Sequence, residues 1–387
     1  MRVPLTYNTR NLRLRLGATV MTALGIALTV AVAIMIMALL AGLRRAFVTS
    51  GDPLNVLAMR KGAEAEMSSY FMHEQFNIMR TLPEVARGSA GQPLVSGELV
   101  VAITLPRRDG SGEVNVTTRG MMPTGLELRP RVTLVEGRWW ETGKREIVVS
   151  RSIHERFANA DIGRQLRFGK GLWNVVGIFD AGGSAYESEL WGDVHQMASD
   201  FDRPRGYSSA LLRAVDRGSA ERLRRRMSED QRLTLNGLFE TDYYAMQTRS
   251  GAPIQYVGTI VAFIMAVGSC FAAMNTMYAA VAYRGREIAT LRTIGFSRPS
   301  ILASFLVESV LLSLIGGVAG VLLMLPFNGL TTGTSNQVTF SEIVFAMRIT
   351  PNVVATALAF AVIMGVIGGM APAWHAARRD ILAALRD

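Results

Sequence analysis

This chain predicts a membrane protein: four transmembrane α-helices, with a large α/β extracytoplasmic domain between the first and the second. Three observations carry that prediction. Four long runs are nearly free of charge, the mean hydropathy is +0.24, and residues 44–252, of mixed pattern, separate the first run from the rest. The 387 residues are 49% hydrophobic, and 41 Lys plus Arg against 31 Asp plus Glu give a net charge of +10. A basic soluble chain would first be read as nucleic-acid binding. Such chains rarely combine this much apolar residue with only 19% charge, so the balance points to a membrane and away from nucleic acid. A single Cys excludes an internal disulfide framework and a Cys-based zinc site. The apolar content excludes disorder as a description of the whole chain.

The elements follow in order. Residues 1–16 form a basic cytoplasmic segment of amphipathic character, with Arg2, Arg10, Arg13 and Arg15 and no acid; the last three are candidates for contact with anionic lipid. Residues 17–43 are the first span. The uncharged run Gly17 to Leu43 covers ~40 Å at ~1.5 Å per residue. It is about twice as long as the ~7–15-residue core of a signal peptide, so it reads as an uncleaved anchor. Residues 44–252 are the extracytoplasmic domain, and 253–283 the second span, with Pro253 at a position that tolerates proline. Residues 284–299 form a turn and 300–326 the third span, interrupted by Glu308 and closed by Pro326. Residues 327–350 are an extracytoplasmic loop, 351–374 the fourth span and 375–387 the tail. Residues 1–16, the 284–299 turn and the tail after Trp374 carry eleven arginines against three acids, +8 of the net charge. The positive-inside rule therefore places these three segments, and both termini, on the cytoplasmic side.

Within 44–252, the segments Leu94–Thr104, Arg145–Ser150, Trp173–Phe179 and Ser208–Arg213 read as strands. Met72–Thr81 and Ser219–Met227 read as helices, the second opening on Ser219 as its cap. An inner lobe at about 119–205 is expected inside an outer one. Catalytic motifs are incomplete here. His73-Glu74 and His154-Glu155 each begin like a zinc-protease helix but lack the second His four residues on. Gly163–Lys170 is like a phosphate loop with one residue too many between its glycines and no Ser or Thr after the Lys; a basic strand edge and turn is the plainer reading. No catalytic, metal or cofactor residue is assigned.

The 284–299 turn is the most informative stretch. Ile288, Leu291 and Ile294 recur at helical spacing, flanked by Arg286, Glu287 and Arg292, with Gly295 suited to a left-handed stop and Pro299 to the next helix start. A short amphipathic helix across the ends of two spans suits a groove on a partner protein, or the lipid interface. Glu308, ~12 Å into the third span, reads as a structural or coupling group rather than a proton relay; an arginine of the first segment, a hydroxyl or a backbone group are its candidate partners. Gly316 with Gly320, and Gly365 with Gly369, are small-xxx-small pairs for close helix packing. Cys270 reads as a packing residue.

The residues Arg284–Gly295, Ile301 through Glu308-Ser309 to Gly316–Gly320, Gly368–Arg378, Leu382–Arg386 and the opening Asn11–Gly17 resemble the MacB/LolC/FtsX-type (type VII) ABC transporter permeases. The resemblance covers the layout of the whole chain and is sharpest over 284–320 and 368–386. It implies that 284–297 is a coupling helix, with Arg286, Glu287, Ile288, Leu291, Arg292, Ile294 and Gly295 docking into an ATPase. It further implies an outside domain with a porter-like lobe and an inserted lobe. With 16 residues ahead of the first span, the ATPase is expected on a separate chain, present in two copies that hold ATP and Mg. This chain itself is expected to bind no cofactor. A second permease, as homodimer or heterodimer, and for some relatives a periplasmic adaptor, complete the implied assembly in the inner membrane. The implied function is export or extraction of a lipoprotein, lipid, peptide or drug. The alternative is mechanical activation of a cell-wall hydrolase, as in the division-related branch.

Overall fold

A computed structural model describes residues 16–336 and 339–378. They divide into two units. The helical unit takes in 16–41, 253–330 and 347–378 of these residues, and the α/β unit 42–252 and 331–346.

Helix α1 (Leu16–Ser50) runs for 35 residues, ~52 Å, and continues past Arg44 and Arg45, where the uncharged run ends. It stops at the Gly51-Asp52-Pro53 turn. The α/β unit follows with β1 (Asn55–Arg60), β2 (Phe71–Met72), α2 (His73–Arg80), β3 (Val95–Pro106), β4 (Glu113–Met121), β5 (Thr133–Gly137), β6 (Glu146–Ser150), α3 (Arg151–Arg156), β7 (Gln165–Phe168), β8 (Gly171–Asp180), β9 (Glu189–Asp193), α4 (Val194–Asp200), β10 (Gly206–Tyr207), β11 (Ser209–Arg213), α5 (Arg217–Glu229), β12 (Leu235–Phe239) and α6 (Glu240–Gln247). Then come α7 (Ala252–Tyr283), α8 (Gly285–Thr293), α9 (Arg298–Met324), β13 (Thr331–Ser335), β14 (Glu342–Ala346) and α10 (Pro351–Arg378).

In the α/β unit the strands lie in the order β12-β1-β11-β3-β4-β9-β6-β8-β5, with β7 also on β8. Pairs are antiparallel except β4–β9 and β6–β8. The anticipated inner lobe does not close on itself. β4 pairs with β9 from Thr117/Glu189 to Met121/Asp193, and one apolar core extends from Val56 through Leu99, Trp173 and Leu190 to Leu235. The four anticipated strands form, within two residues at each end, as β3, β6, β8 and β11. Strands β1, β4, β9 and β12 form outside the segments that the sequence predicts as strands. The cap of α5 differs from expectation: Asp216, not Ser219, accepts the hydrogen bond, from the Ser219 amide at 2.7 Å. A carboxylate three residues ahead is the stronger acceptor at a positive helix end.

In the helical unit, α1, α7, α9 and α10 are long and apolar enough to cross a membrane. Ser297 precedes α9, Pro299 lies in its first turn, and Pro326 follows its end. Ile26, Val30, Ile34, Ala357, Ala361 and Met364 form its main core. Hydroxyls join the helices: Thr29 to Ser269 at 2.6 Å, Thr22 to Thr276 at 2.7 Å, and Ser309 donating to the Gly365 carbonyl at 2.7 Å.

The segment 327–350, read from the sequence as an extracytoplasmic loop, holds a hairpin of β13 and β14, in register from Thr331/Ala346 to Ser335/Glu342, and this hairpin belongs to the α/β unit.

Candidate functional site

Tyr283 ends α7, and Arg284, with φ −103° and ψ 20°, interrupts the helix before α8. α8 ends at Thr293. Gly295 takes φ +108°, which side-chain-bearing residues rarely adopt, and the Phe296 amide returns to the Leu291 carbonyl at 3.1 Å. The sequence stripe of Ile288, Leu291 and Ile294 does not face one way. Ile288 is buried against Met277, Val281, Ile301, Phe305, Ala373 and Ala376, Ala289 is buried as well, Leu291 and Arg292 are half-buried, and Ile294 is 65% exposed. Arg286 and Glu287 are exposed. A nine-residue helix thus has one face fixed to its own bundle and another open.

The anchor of that inner face is an ion pair the sequence did not assign. The Arg284 guanidinium donates to Glu308 at 2.9 Å and to Glu287 at 3.3 Å, and lies 5.1 Å from the Phe305 ring centroid. Arg284 and Glu308 are both buried. Among the described residues Arg284 pairs with Glu308; the arginines of the first segment, one of the kinds of partner anticipated for it, lie outside them. The missed signal was available: Arg284 is the first residue beyond the uncharged second span.

The four packing glycines meet helices of the same chain. A methyl at Gly316 would stand 2.8 Å from the Ala23 carbonyl, and one at Gly320 would stand 2.6 Å from the Ala27 carbonyl, so α1 and α9 touch backbone to backbone. Gly365 and Gly369 of α10 face Ser313 and Ser309 of α9. Cys270 is partly buried, beside the Met364 carbonyl.

The α/β unit holds a buried ionic cluster with no trace in the sequence pattern. Arg119 bonds Glu189 at 2.8 Å through Nε and Nη2, Glu66 at 2.8 and 3.0 Å, and Glu98 at 2.7 Å. Arg129 grips Glu98 at 2.7 and 2.8 Å and lies 5.1 Å from the Tyr186 ring centroid. Burial alone would raise the Glu98 carboxyl, but the Arg129 and Arg119 guanidiniums hold it below its ordinary value. Glu240 is the contrast. Burial raises it, although Tyr186, Asn55 and the Asp52 amide donate to it at 2.8, 2.9 and 2.9 Å.

The β13–β14 hairpin is seated beside this cluster. Glu342 is buried and pairs with Arg107 at 2.8 Å and Arg156 at 2.5 Å. Ser341 meets Thr117 at 2.9 Å, Asn336 donates to Gln247 at 2.9 Å, and the Val344 amide donates to Ser188 at 2.7 Å. A cavity of ≈ 50 Å³ remains, lined by Arg119, Glu189, Tyr243, Gln247, Asn336 and Ser341 among others. His73 packs 4.8 Å from the Tyr207 ring, and His154 lies 3.4 Å from Asp161. Gly163–Lys170 forms the turn into β7, the strand itself and the start of the turn to β8.

Residues 19–230 match the family model of the MacB-like periplasmic core domain, and residues 259–381 match that of the FtsX-like permease C-terminal region. The macrolide export ATP-binding/permease protein MacB of Bordetella avium is 25% identical over 94% of this chain and 56% of its own. The pyoverdine export ATP-binding/permease protein PvdT of Pseudomonas savastanoi pv. phaseolicola is 40% identical over 33% of this chain and 18% of its own. The chain therefore spans about half the length of that MacB, and its match to PvdT covers a smaller share. The periplasmic region of MacB from Actinobacillus actinomycetemcomitans aligns with half of the chain at 12% identity and a TM-score of 0.38. With a family model over more than half of its length and a second over its C-terminal spans, the chain belongs to the MacB/FtsX-type family of ABC transporter permeases.

Proposed function

We propose that this chain is the membrane subunit of an ABC transporter that turns ATP hydrolysis on a separate ATPase subunit into motion of its extracytoplasmic domain. The cargo is hydrophobic or amphipathic and is exported or extracted. The observation that supports this best is α8. Its inner face is pinned by Ile288 and the Arg284–Glu308 pair, so a push on its outer face is passed to α7 and α9 rather than lost in a loose loop. Arg286, Glu287, Leu291, Arg292 and Ile294 form the docking face, and Ile288 anchors it. ATP and Mg sit on the partner, two permeases work with two ATPases, and the termini are cytoplasmic. Relatives named for macrolide and pyoverdine export support the export reading.

Co-expression with the ATPase encoded nearest to this gene tests the proposal. Replacing Leu291 by Ala and Arg292 by Glu is expected to abolish co-purification while leaving the permease folded. Undiminished association would remove α8 as the docking element.

A further inference from the structure

One groove of the helical unit serves neither α8 nor the packing of the four long helices. Helices α7 and α10 touch where a methyl at Gly368 would stand 3.1 Å from the Cys270 carbonyl and 3.2 Å from Ala273. Towards the C-terminal end of α10, an open groove of ≈ 450 Å³ is lined by Tyr278 on α7 and by Ile367, Met370, Trp374, His375 and Arg378 on α10. Those five fall on one helix face by their spacing of three, four, one and three.

The lining is graded. Ile367 and Met370, 56% and 43% exposed, offer bare aliphatic surface at one end. Tyr278 and Trp374 follow, with His375 set edge-on to Tyr278 at 6.0 Å. At the other end Arg378 holds its guanidinium 4.2 Å from the Trp374 ring centroid, a stack that fixes the cation at the rim. From Ile367 to Arg378 is ~16 Å along the helix. Aliphatic, then aromatic, then cationic over that length is the order of acyl chain, glycerol region and phosphate in a phospholipid.

We infer that this groove binds one anionic phospholipid, its phosphate on Arg378 and His375 and an acyl chain along Met370 and Ile367. Charge selects the class. Arg378 puts a positive charge at the rim, which a zwitterionic headgroup does not neutralise. A second copy is disfavoured as occupant, because a symmetric contact would bring the same arginines together. The inference depends on the membrane reading of α7 and α10 and is independent of ATPase docking.

The test uses the full chain, reconstituted in vesicles of equal phosphatidylglycerol and phosphatidylethanolamine, extracted in mild detergent and weighed by native mass spectrometry. The wild type is expected to retain one phosphatidylglycerol per chain in preference to phosphatidylethanolamine, a comparison that requires no variant. Arg378→Gln is expected to lower that retention roughly tenfold, the equivalent of ~1.4 kcal/mol, with Arg378→Lys keeping most of it. Equal retention of both lipids, or an Arg378→Gln variant that retains as much as the wild type, overturns the inference. So does displacement of the lipid by millimolar inorganic phosphate, which would mark a plain phosphate site, or cross-linking of two copies through Met370→Cys, which would mark a subunit contact. ATPase co-purification is expected to be unchanged in Arg378→Gln, so a failure here is distinct from a failure of the docking proposal.

Discussion

Buried carboxylates occur in both units, and what surrounds each one decides what it does. Glu308 would be an expensive charge within an apolar helix, and Arg284 offsets that cost while fixing the start of α8. Glu98 is a carboxylate caught between two guanidiniums and stays ionised. Its folded value lies below the unfolded one, so its contribution is present at neutral pH and is lost on acidification through the depressed value. Glu240 has the opposite sign. Its folded value is raised, so the native state keeps a proton that the unfolded chain has lost. Its contribution is complete below the ordinary carboxylate range and fades as pH rises through the raised value. Glu240→Gln keeps an acceptor oxygen and removes the titration. Thermal unfolding of the detergent-solubilised chain is expected to show the wild type losing Tm, relative to this variant, as pH rises above the ordinary carboxylate range. Parallel curves would mean that Glu240 is not protonated on folding.

At the scale of elements, the long helices follow from composition and their mutual contacts follow from single glycines. α9 meets α1 through Gly316 and Gly320, whose faces meet backbone carbonyls that cannot rotate away as a side chain can. Gly320→Leu is expected to destabilise the helical unit by at least the ~1–3 kcal/mol typical of overpacking, seen as a lower Tm. Val318→Leu on the exposed face of the same helix is expected to leave Tm in place and serves as the control. The glycine spacing was legible because i and i+4 share a helix face, but which helix they meet was not. In the α/β unit the four strands rich in Val, Ile and Leu were legible. β1, β4, β9 and β12 were not, because their hydrophobic faces are set by neighbours in the sheet. β9 shows this most plainly: Glu189 and Asp193 are buried among polar partners, so its sequence reads as surface.

At the scale of the molecule, the chain passes between its two units four times, at 41/42, 252/253, 330/331 and 346/347. The last two crossings bracket the β13–β14 hairpin, which Glu342 ties to Arg107 and Arg156. Glu342→Ala leaves two cations without their carboxylate, and residues 331–346 are expected to exchange amide hydrogens faster while β3, β4 and β11 keep wild-type protection. Unchanged exchange across 331–346 would show that the remaining hydrogen bonds hold the hairpin alone. The sequence by itself determined the four spans, their order, the α/β domain after the first and the amphipathic turn after the second. Hydropathy, charge and helical spacing act over a few residues, and a linear chain displays them directly. Only the tertiary structure decided that Glu308 meets Arg284, that Arg119 and Arg129 organise three buried glutamates, and that a short loop is a strand pair of the distant domain. Glu342 lies 235 residues from Arg107 and 186 from Arg156. Partners that far apart leave no local periodicity, because the energy that joins them exists only once both are buried together.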